Sequence, residues 1–177
     1  DLHAALDHRG QRRDQLHEAS AGGQGCFVAN FSKGIDQISG RSAEDILIGI
    51  GKDFLVQERI RNQKDIESLH SESLNTLRIN TYRWKDEIRC CPIVLRMGIG
   101  NACMDNASSG GIFVGVSDDG SLCKYAHCSF VKHFLSCSSH PTSGIVFEGY
   151  KIQGIKELIE IHLDQKVDLV DTLNVVY

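Results

Sequence analysis

The sequence lacks long apolar runs, an excess of basic residues and an abundance of proline. Its apolar runs DILIGIG and PIVLRMGIG are far shorter than the ~20 residues that a membrane-spanning helix needs. A net charge of -4 excludes a general electrostatic attraction of the whole chain to nucleic acid or to anionic membranes. With two prolines, no low-complexity linker and no internal repeat, any domain boundary is expected to be short.

The first residues and the cysteines bear on whether the chain is expected to be secreted. It begins without methionine in a charged, polar stretch that has no apolar signal core, so we expect a fragment without a secretory signal. Its seven cysteines are odd in number, and the adjacent pair Cys90 and Cys91 is a poor arrangement for a disulfide framework. Free thiols and a cytoplasmic localisation are therefore predicted.

Five side chains that can bind zinc lie close together in the sequence. They are Cys123, His127, Cys128, Cys137 and His140. The region has no Cys-x-x-Cys pair, and its spacing matches no common structural zinc module. Unliganded thiols and surface histidines are the expected state, and a zinc-binding module is the alternative.

The first part of the chain is predicted to contain helices, a glycine-rich loop and short strands. Residues 1–19 are expected to be helical or frayed, SAGGQG is the loop, and CFVAN is a short strand. Ser42, followed three residues later by Asp45, predicts the start of a short helix that ends at Gly51. The segment DFLVQERI follows as a strand, and NQKDIESLH is a polar connector with a helical turn.

The second part is predicted to be an antiparallel meander. From residue 74 to about residue 128, the strand-like segments LNTLRINTYR, IRCCPIVLRMG, IFVGVS and SLCKYA are separated by tight turns. Ile155, Leu158, Ile159 and His162 recur at helical spacing, which predicts an amphipathic helix in GIKELIEIHL. The predicted fold class is therefore α+β, with helices packed against an antiparallel sheet.

Two arginines lie on predicted neighbouring strands. On the strand NTLRINTYR, one face carries Leu77, Ile79 and Thr81, and the other carries Thr76, Arg78, Asn80 and Tyr82. On the next strand, Arg96 is expected to share its face with Ile88, Cys90 and Val94.

An arginine on a largely apolar face needs a partner, because burying an unpaired charge costs several kcal/mol. Two guanidinium groups suit a phosphate or carboxylate. The alternative is an ion-pair network with Asp105, Glu58 or Glu87.

Two further segments could bind a nucleotide. The glycines of SAGGQGC would let backbone N–H groups approach phosphate oxygens closely, although the loop lacks the Gly-Lys-Ser/Thr of a Walker A motif. At the polar end of FLVQERI, main-chain groups could meet the edge of a purine and Glu58 could bind a ribose hydroxyl. The alternatives are an ordinary turn and a charged strand end.

The order of FLVQERI, SLNTLRINTYR, VLRMG, MDNASSGGIFVGVSDDG and HPTSG resembles the C-terminal half of ATP-grasp proteins. The resemblance covers about residues 20 to 160 and is strongest to the sugar-transfer-associated group and its glutamate-ligase-like relatives. It implies a partial ATP-grasp fold, with a central subdomain over residues 1–61 and a C-terminal subdomain over residues 62–177. The implied activity is ligation of a carboxylate to an amine through an acyl-phosphate, in a pathway of sugar transfer or polysaccharide synthesis.

The resemblance also implies roles for particular residues, with ATP and Mg²⁺ as cofactors. Gly22, Gly23 and Gly25 would donate backbone N–H groups to the phosphates. Main-chain groups of Gln57, Glu58 and Ile60 would meet adenine, with the Glu58 side chain as a nearby nucleotide contact. Arg78 and Arg96 would face the γ-phosphate and the acyl-phosphate. Asp105 and Asn106, with Gly110 and Gly111, would shape the adjoining substrate loop.

The sequence departs from the family pattern at two places. Where the family has a lysine before the glycine loop, this sequence has His17 nearby, and it stops before the strands that carry the family's Mg²⁺ ligands. Asp168, Asp171 and Asn174 are spaced like one face of a helix, so no metal ligand is predicted. The expected partners are a nucleotide and unidentified carboxylate and amine substrates, without nucleic acid or a membrane span. The alternative function is a non-catalytic nucleotide-binding or scaffold fragment.

Overall fold

The computed structural model describes residues 13–19, 27–51, 54–107, 110–128, 135–164 and 172–176. The chain divides into two compact units, Asp1–Ile60 and Arg61–Tyr177. The first unit contains β1 (Arg13–Ala19), β2 (Phe27–Ser32), β3 (Ile35–Asp36), α1 (Ala43–Ile50) and β4 (Phe54–Glu58). Of the helices in the described part of the chain, none has the length and apolar character that crossing a bilayer requires.

The described residues of the second unit form two helices and seven further strands. They are α2 (Lys64–Leu69), β5 (Thr76–Trp84), β6 (Glu87–Cys90), β7 (Ile93–Met97), β8 (Ile112–Val116), β9 (Leu122–Cys128), β10 (Leu135–Cys137), α3 (Ile155–Asp164) and β11 (Thr172–Val176). These antiparallel sheets and few helices confirm the predicted α+β class.

The first unit is built on a four-stranded antiparallel sheet in the order β3-β2-β1-β4. Strand β1 pairs with β2 on one side and with β4 on the other, so the prediction of a helix is wrong over residues 13–19. Hydrogen bonding to two neighbours outweighs the weak local helical preference of this polar segment. The other part of that prediction, residues 1–12, lies outside the described residues.

The short helix α1 begins and ends where the sequence predicts. The Ser42 hydroxyl accepts a hydrogen bond from the Asp45 backbone N–H at 3.0 Å, which satisfies a donor of the first turn. At the other end Gly51 has a φ of 91°, a conformation that glycine adopts without strain. The capping signature therefore identified this helix correctly.

The second unit has a seven-stranded sheet whose central path is β10-β9-β8-β7-β5-β11, with β6 paired to β5. The antiparallel succession β5, β7, β8, β9 confirms the predicted meander. One hydrophobic cluster packs strand residues with side chains from α2 and α3. Its buried members include Ile66, Leu69, Leu77, Ile79, Ile93, Leu95, Met97, Val114, Phe147, Ile152 and Ile155.

The segment IRCCPIVLRMG forms two strands, not the predicted single strand. Strand β5 pairs with β7 through residues 76–78 and with β6 through residues 81–84. Pro92 has no N–H to give to a ladder, whereas the Cys91 N–H donates to Asn80 O at 2.7 Å. The break shifts the alternation of faces, because Cys90 lies opposite the buried Thr81. Ile88 and Cys90 therefore do not share the face of Arg96, and that prediction is wrong.

The C-terminal end of the described chain also differs from the sequence prediction. Asn174 lies in strand β11, opposite Arg78 of β5, and not on a helix face. The pattern of Asp168, Asp171 and Asn174 imitated helical spacing, but the pairing of β11 with β5 determines the conformation around Asn174. Asp168 and Asp171 lie outside the described residues.

Candidate functional site

Strand β5 separates a buried face from a half-exposed face. Leu77, Ile79 and Thr81 are buried, whereas Thr76, Arg78, Asn80 and Tyr82 are intermediate in exposure. The period of two predicted from the sequence is confirmed. The apolar side chains fix the register of the strand, so the polar side chains must emerge on the opposite side.

Arg78 and Arg96 lie on this half-exposed face, on adjacent strands, and we call the pair the arginine site. In the register of β5 and β7, Thr76 is opposite Arg96 and Arg78 is opposite Val94. The two arginines are therefore diagonal neighbours, an arrangement in which backbone positions are roughly 7–8 Å apart. Two side chains of this length can reach a common anion from such positions.

Arg96 is held by the loop that follows its own strand. Its Nη2 lies 3.2 Å from Asp105 Oδ1 and donates to Asn106 Oδ1 at 2.6 Å. The side chains of Arg96 and Asp105 are 18% and 7% exposed, so the ion pair is largely shielded from water. Of the three acidic residues considered from the sequence, Asp105 is the partner of Arg96. Glu87 pairs instead with Arg89, at 2.9 Å.

The Asp105 carboxylate contacts side chains or backbone of both β5 and β7. Its Oδ2 accepts hydrogen bonds from the Thr76 backbone N–H, at 3.1 Å, and from the Thr76 hydroxyl. Both carboxylate oxygens are thus engaged, Oδ1 by Arg96 and Oδ2 by Thr76. The sequence placed Thr76 on the correct face but gave it no role, because its contact with Asp105 depends on the path of a distant loop.

The glycines after Asn106 are required by the tight course of this loop. The Gly111 N–H donates to Asn106 O at 3.0 Å, and a Cβ on Gly111 would lie 2.5 Å from Asp105 O. Gly110 has a φ of 89°, a backbone conformation that favours glycine. These contacts show that Gly111 keeps the loop close to the ends of β7 and β8, with Asp105 against Arg96.

The other residues predicted to bind nucleotide lie in the first unit. Gln57 and Glu58 end β4, an edge strand of the four-stranded sheet as far as the described residues show, and the Glu58 side chain is exposed. Ile60 follows the strand and is 58% exposed. Gly22, Gly23 and Gly25 lie outside the described residues.

His17, the residue near the expected lysine position, lies in the central strand β1. Its register partners are Phe27 of β2 and Val56 of β4.

Two of the five side chains considered for zinc, His140 and Cys128, have other contacts within the protein. Both ring nitrogens of His140 make hydrogen bonds within the protein: Nε2 to Gly98 O at 3.0 Å, and Nδ1 to the backbone N–H groups of Thr142 and Ser143. Cys128 is buried and packs in the hydrophobic cluster. Over the described residues, no group of three or more His, Cys, Asp or Glu side chains is arranged to hold a metal ion.

The fold and the site define an α+β protein with two arginines on the half-exposed face of an antiparallel sheet, one of them oriented by an Asp-Asn loop. The chain belongs to the sugar-transfer associated ATP-grasp family, whose model matches residues 18–172. Neither a curated protein nor a solved structure matches the chain. The family supports nucleotide binding and an ATP-grasp, ligase-like function related to sugar transfer.

ATP-grasp domains generally bind ATP together with Mg²⁺. Asp105 is the buried acidic side chain beside Arg96: the positive guanidinium lies 3.2 Å from its Oδ1 and disfavours a second cation there, while its Oδ2 accepts two hydrogen bonds from Thr76. The residues described here therefore do not fit a magnesium ion at this site, and we assign no Mg²⁺ ligand.

Proposed function

We propose that the protein activates a carboxylate with ATP and joins it to an amine in a pathway of sugar transfer or polysaccharide synthesis. In the first step a carboxylate oxygen attacks the γ-phosphorus, the bond to the bridging oxygen breaks, and ADP leaves. In the second step the amine attacks the carbonyl carbon of the acyl-phosphate, loses a proton and expels phosphate. Arg78 and Arg96 carry the positive charge that both steps require.

The observation that carries the proposal is the way Arg96 is held. Its hydrogen bonds to described residues all leave from Nη2, so these partners leave the Nε and Nη1 donors unused. A guanidinium has five N–H donors in a rigid fork, so fixing one nitrogen orients the others. Phosphoryl transfer depends chiefly on positioning and charge stabilisation, which a preoriented arginine supplies.

In the first unit, we assign adenine binding to the main chain of residues 57–60. Over the described residues, strand β4 pairs with β1 and is the last strand of its sheet, and we assign the flat ligand to the main chain at the end of this strand. The exposed Glu58 carboxylate is suited to a ribose hydroxyl. Gly22, Gly23 and Gly25 are assigned to the phosphates.

The experiment is a calorimetric titration of the protein with ATP and Mg²⁺, combined with measurement of ADP release in the presence of candidate carboxylates and amines. The test variant is the double substitution Arg96→Met with Asp105→Asn, which removes both charges and leaves no orphaned carboxylate. The matched control is Arg89→Met with Glu87→Gln, which removes an exposed pair.

We expect the test variant to release ADP roughly 10²–10³ times more slowly, the loss typical of removing one donor to a developing charge. The control should match the unmodified protein. Unchanged ADP release in the Arg96 variant would overturn the assignment. Nucleotide binding without any ADP release from the unmodified protein would favour the non-catalytic alternative.

A further inference from the structure

Four buried polar side chains connect three separate segments of the second unit. His70, Ser73, Asn75 and His140 are each no more than 4% exposed. The first three lie on the connector from α2 to β5, and His140 lies in the segment between β10 and α3. The ring centroids of His70 and His140 are 5.2 Å apart. We call this group the histidine network.

The histidine network binds the backbone of Gly98, two residues after Arg96. The Gly98 N–H donates to Ser73 Oγ at 3.0 Å, and Gly98 O accepts from His140 Nε2 at 3.0 Å. A Cβ on Gly98 would lie 2.7 Å from Ser73 Oγ, so the side chains are packed directly on the backbone. Strand β7 ends at Met97, and beyond it the histidine network supplies the hydrogen-bond partners of the backbone.

The network binds Gly100 in the same way. Gly100 O accepts from His70 Nε2 at 2.9 Å, and the Gly100 N–H donates to Thr142 Oγ1 at 2.7 Å. Thr142 is held in turn by its own N–H, which donates to His140 Nδ1 at 3.2 Å. The first residues of the β7–β8 loop are thus fixed on both sides by groups distant in sequence.

The hydrogen bonds determine the protonation state of His140. A carbonyl oxygen only accepts, so Nε2 carries the proton toward Gly98 O, and Nδ1 must be unprotonated because two backbone N–H groups donate to it. A proton on Nδ1 would make this nitrogen a donor that faces two backbone N–H donors, so both hydrogen bonds would be lost. Among the described residues, the titratable side chain that packs against the His140 ring is His70.

We propose that His140 and His70 are positioning residues for the arginine site, acting through Gly98 and Gly100 on the loop that carries Asp105. The loop leaves the network at Gly100 and returns to the sheet at Gly111, and between these points it places Asp105 against Arg96 and Thr76. Neutral His140 holds this geometry, and protonated His140 releases it. The catalytic consequence rests on the function proposed above; the positioning itself does not.

Burial of the His140 imidazole favours its neutral form. It lowers the pKa of His140; the hydrogen bond to Gly98 O opposes the effect, and the neighbouring His70 ring adds to it. An acid limb in ADP release is therefore expected below the ordinary pKa of histidine.

The test compares His140→Ala with His140→Gln, whose side-chain amide can still donate to Gly98 O but does not titrate. The matched control is Glu148→Gln, which breaks an exposed pair with Lys124 on the chain that follows the His140 segment. Hydrogen exchange, measured by NMR without nucleotide, reports on the amides of Gly98, Thr76 and Gly111. The Thr76 amide donates to Asp105 and the Gly111 amide to Asn106.

In His140→Ala, exchange at Thr76 and Gly111 should accelerate at least about tenfold, the effect expected of an unsatisfied buried carbonyl. Exchange at the core residue Val114 should stay unchanged, which separates a shift of the loop from global unfolding. His140→Gln should restore much of the protection, and Glu148→Gln should behave like the unmodified protein. Faster exchange at Gly98 alone, or equal acceleration at Val114, would overturn the proposal.

Activity provides the second measurement. The unmodified protein should lose ADP release as the pH falls, and His140→Gln should lack most of that acid limb. An identical acid limb in both proteins would overturn the role of His140. If the unmodified protein releases no ADP at any pH, the proposed function fails, whereas the exchange results still decide whether the histidines position the loop.

Discussion

Arg96 and Asp105 form an ion pair at 3.2 Å between strand β7 and the loop after it, and the same carboxylate binds Thr76 of β5. We predict that Asp105→Asn destabilises the second unit by about 3 kcal/mol, because it leaves a largely buried guanidinium without its counter-charge. Urea unfolding followed by fluorescence measures the change in the free energy of unfolding.

The control for this prediction is Glu87→Gln. The pair of Glu87 and Arg89 is exposed, with side chains 71% and 49% accessible, so its loss should change stability by less than about 1 kcal/mol. Equal effects of the two substitutions would show that Asp105 does not hold Arg96 in solution.

Gly111→Ala is predicted to destabilise the protein by roughly 1–3 kcal/mol, the range for forced overpacking. The new methyl group would meet the backbone of Asp105 at 2.5 Å, and a backbone cannot move aside as a side chain can. A thermal melt measures the loss. The NMR signal of the Thr76 amide should also shift, since this amide donates to Asp105.

The matched control is Gly49→Ala, which should act in the opposite direction. Gly49 lies in helix α1, and its added methyl group would meet only the flexible end of Arg41, at 3.2 Å. Alanine favours a helix over glycine by up to about 1 kcal/mol, so the melting temperature should rise. A stable Gly111→Ala variant would contradict the close approach inferred for the loop.

The alternation of strand β5 could be predicted from sequence, because one buried face imposes a period of two on the whole strand. The partner of Arg96 could not. Asp105, Glu58 and Glu87 are equivalent as charges, and the choice among them depends on how the loop between β7 and β8 returns to the sheet. The sequence contains Gly111 as a signal of that close return, but not the atom that it approaches.

Two other features escaped prediction because they depend on pairing between distant segments. Strand β1 is polar and has no clear alternation, and it is a strand because β2 and β4 flank it. The sequence predicts His70 in a polar connector and His140 as a surface or zinc-binding histidine. Their hydrogen bonds to Gly98 and Gly100 exist only after the sheet has formed. Local sequence determines neither arrangement.

Asp36→Asn is predicted to destabilise the first unit by about 2 kcal/mol. Burial opposes the ionisation of Asp36, but hydrogen bonds from Ser39 and from the backbone of Asn30 and Ile38 outweigh it and lower the pKa. An amide group cannot accept from all of these donors. Hydrogen exchange measured by mass spectrometry should accelerate over residues 27–51.

Residues 76–97 of the second unit provide the internal reference for this experiment. The pH dependence has a definite sign: the pKa of Asp36 is lowered in the folded state, so its stabilisation is present above the ordinary pKa of 3.8 and is lost as the pH falls through the lowered value. Unchanged exchange over residues 27–51 in Asp36→Asn would show that these hydrogen bonds contribute little.

The stability of the second unit is predicted to fall in mild acid because of His140. Burial lowers the pKa of His140 from its ordinary value of 6.5, so the unfolded chain takes up a proton at a higher pH than the folded chain does. The free energy of unfolding should therefore decline as the pH drops from 6.5 toward the lowered pKa, and this contribution should be constant above that range.

Urea unfolding at a series of pH values measures the slope. His140→Gln should reduce it by up to about 1.4 kcal/mol per pH unit, the effect of one proton. Because other groups titrate equally in both proteins, parallel slopes would show that His140 does not become charged on unfolding.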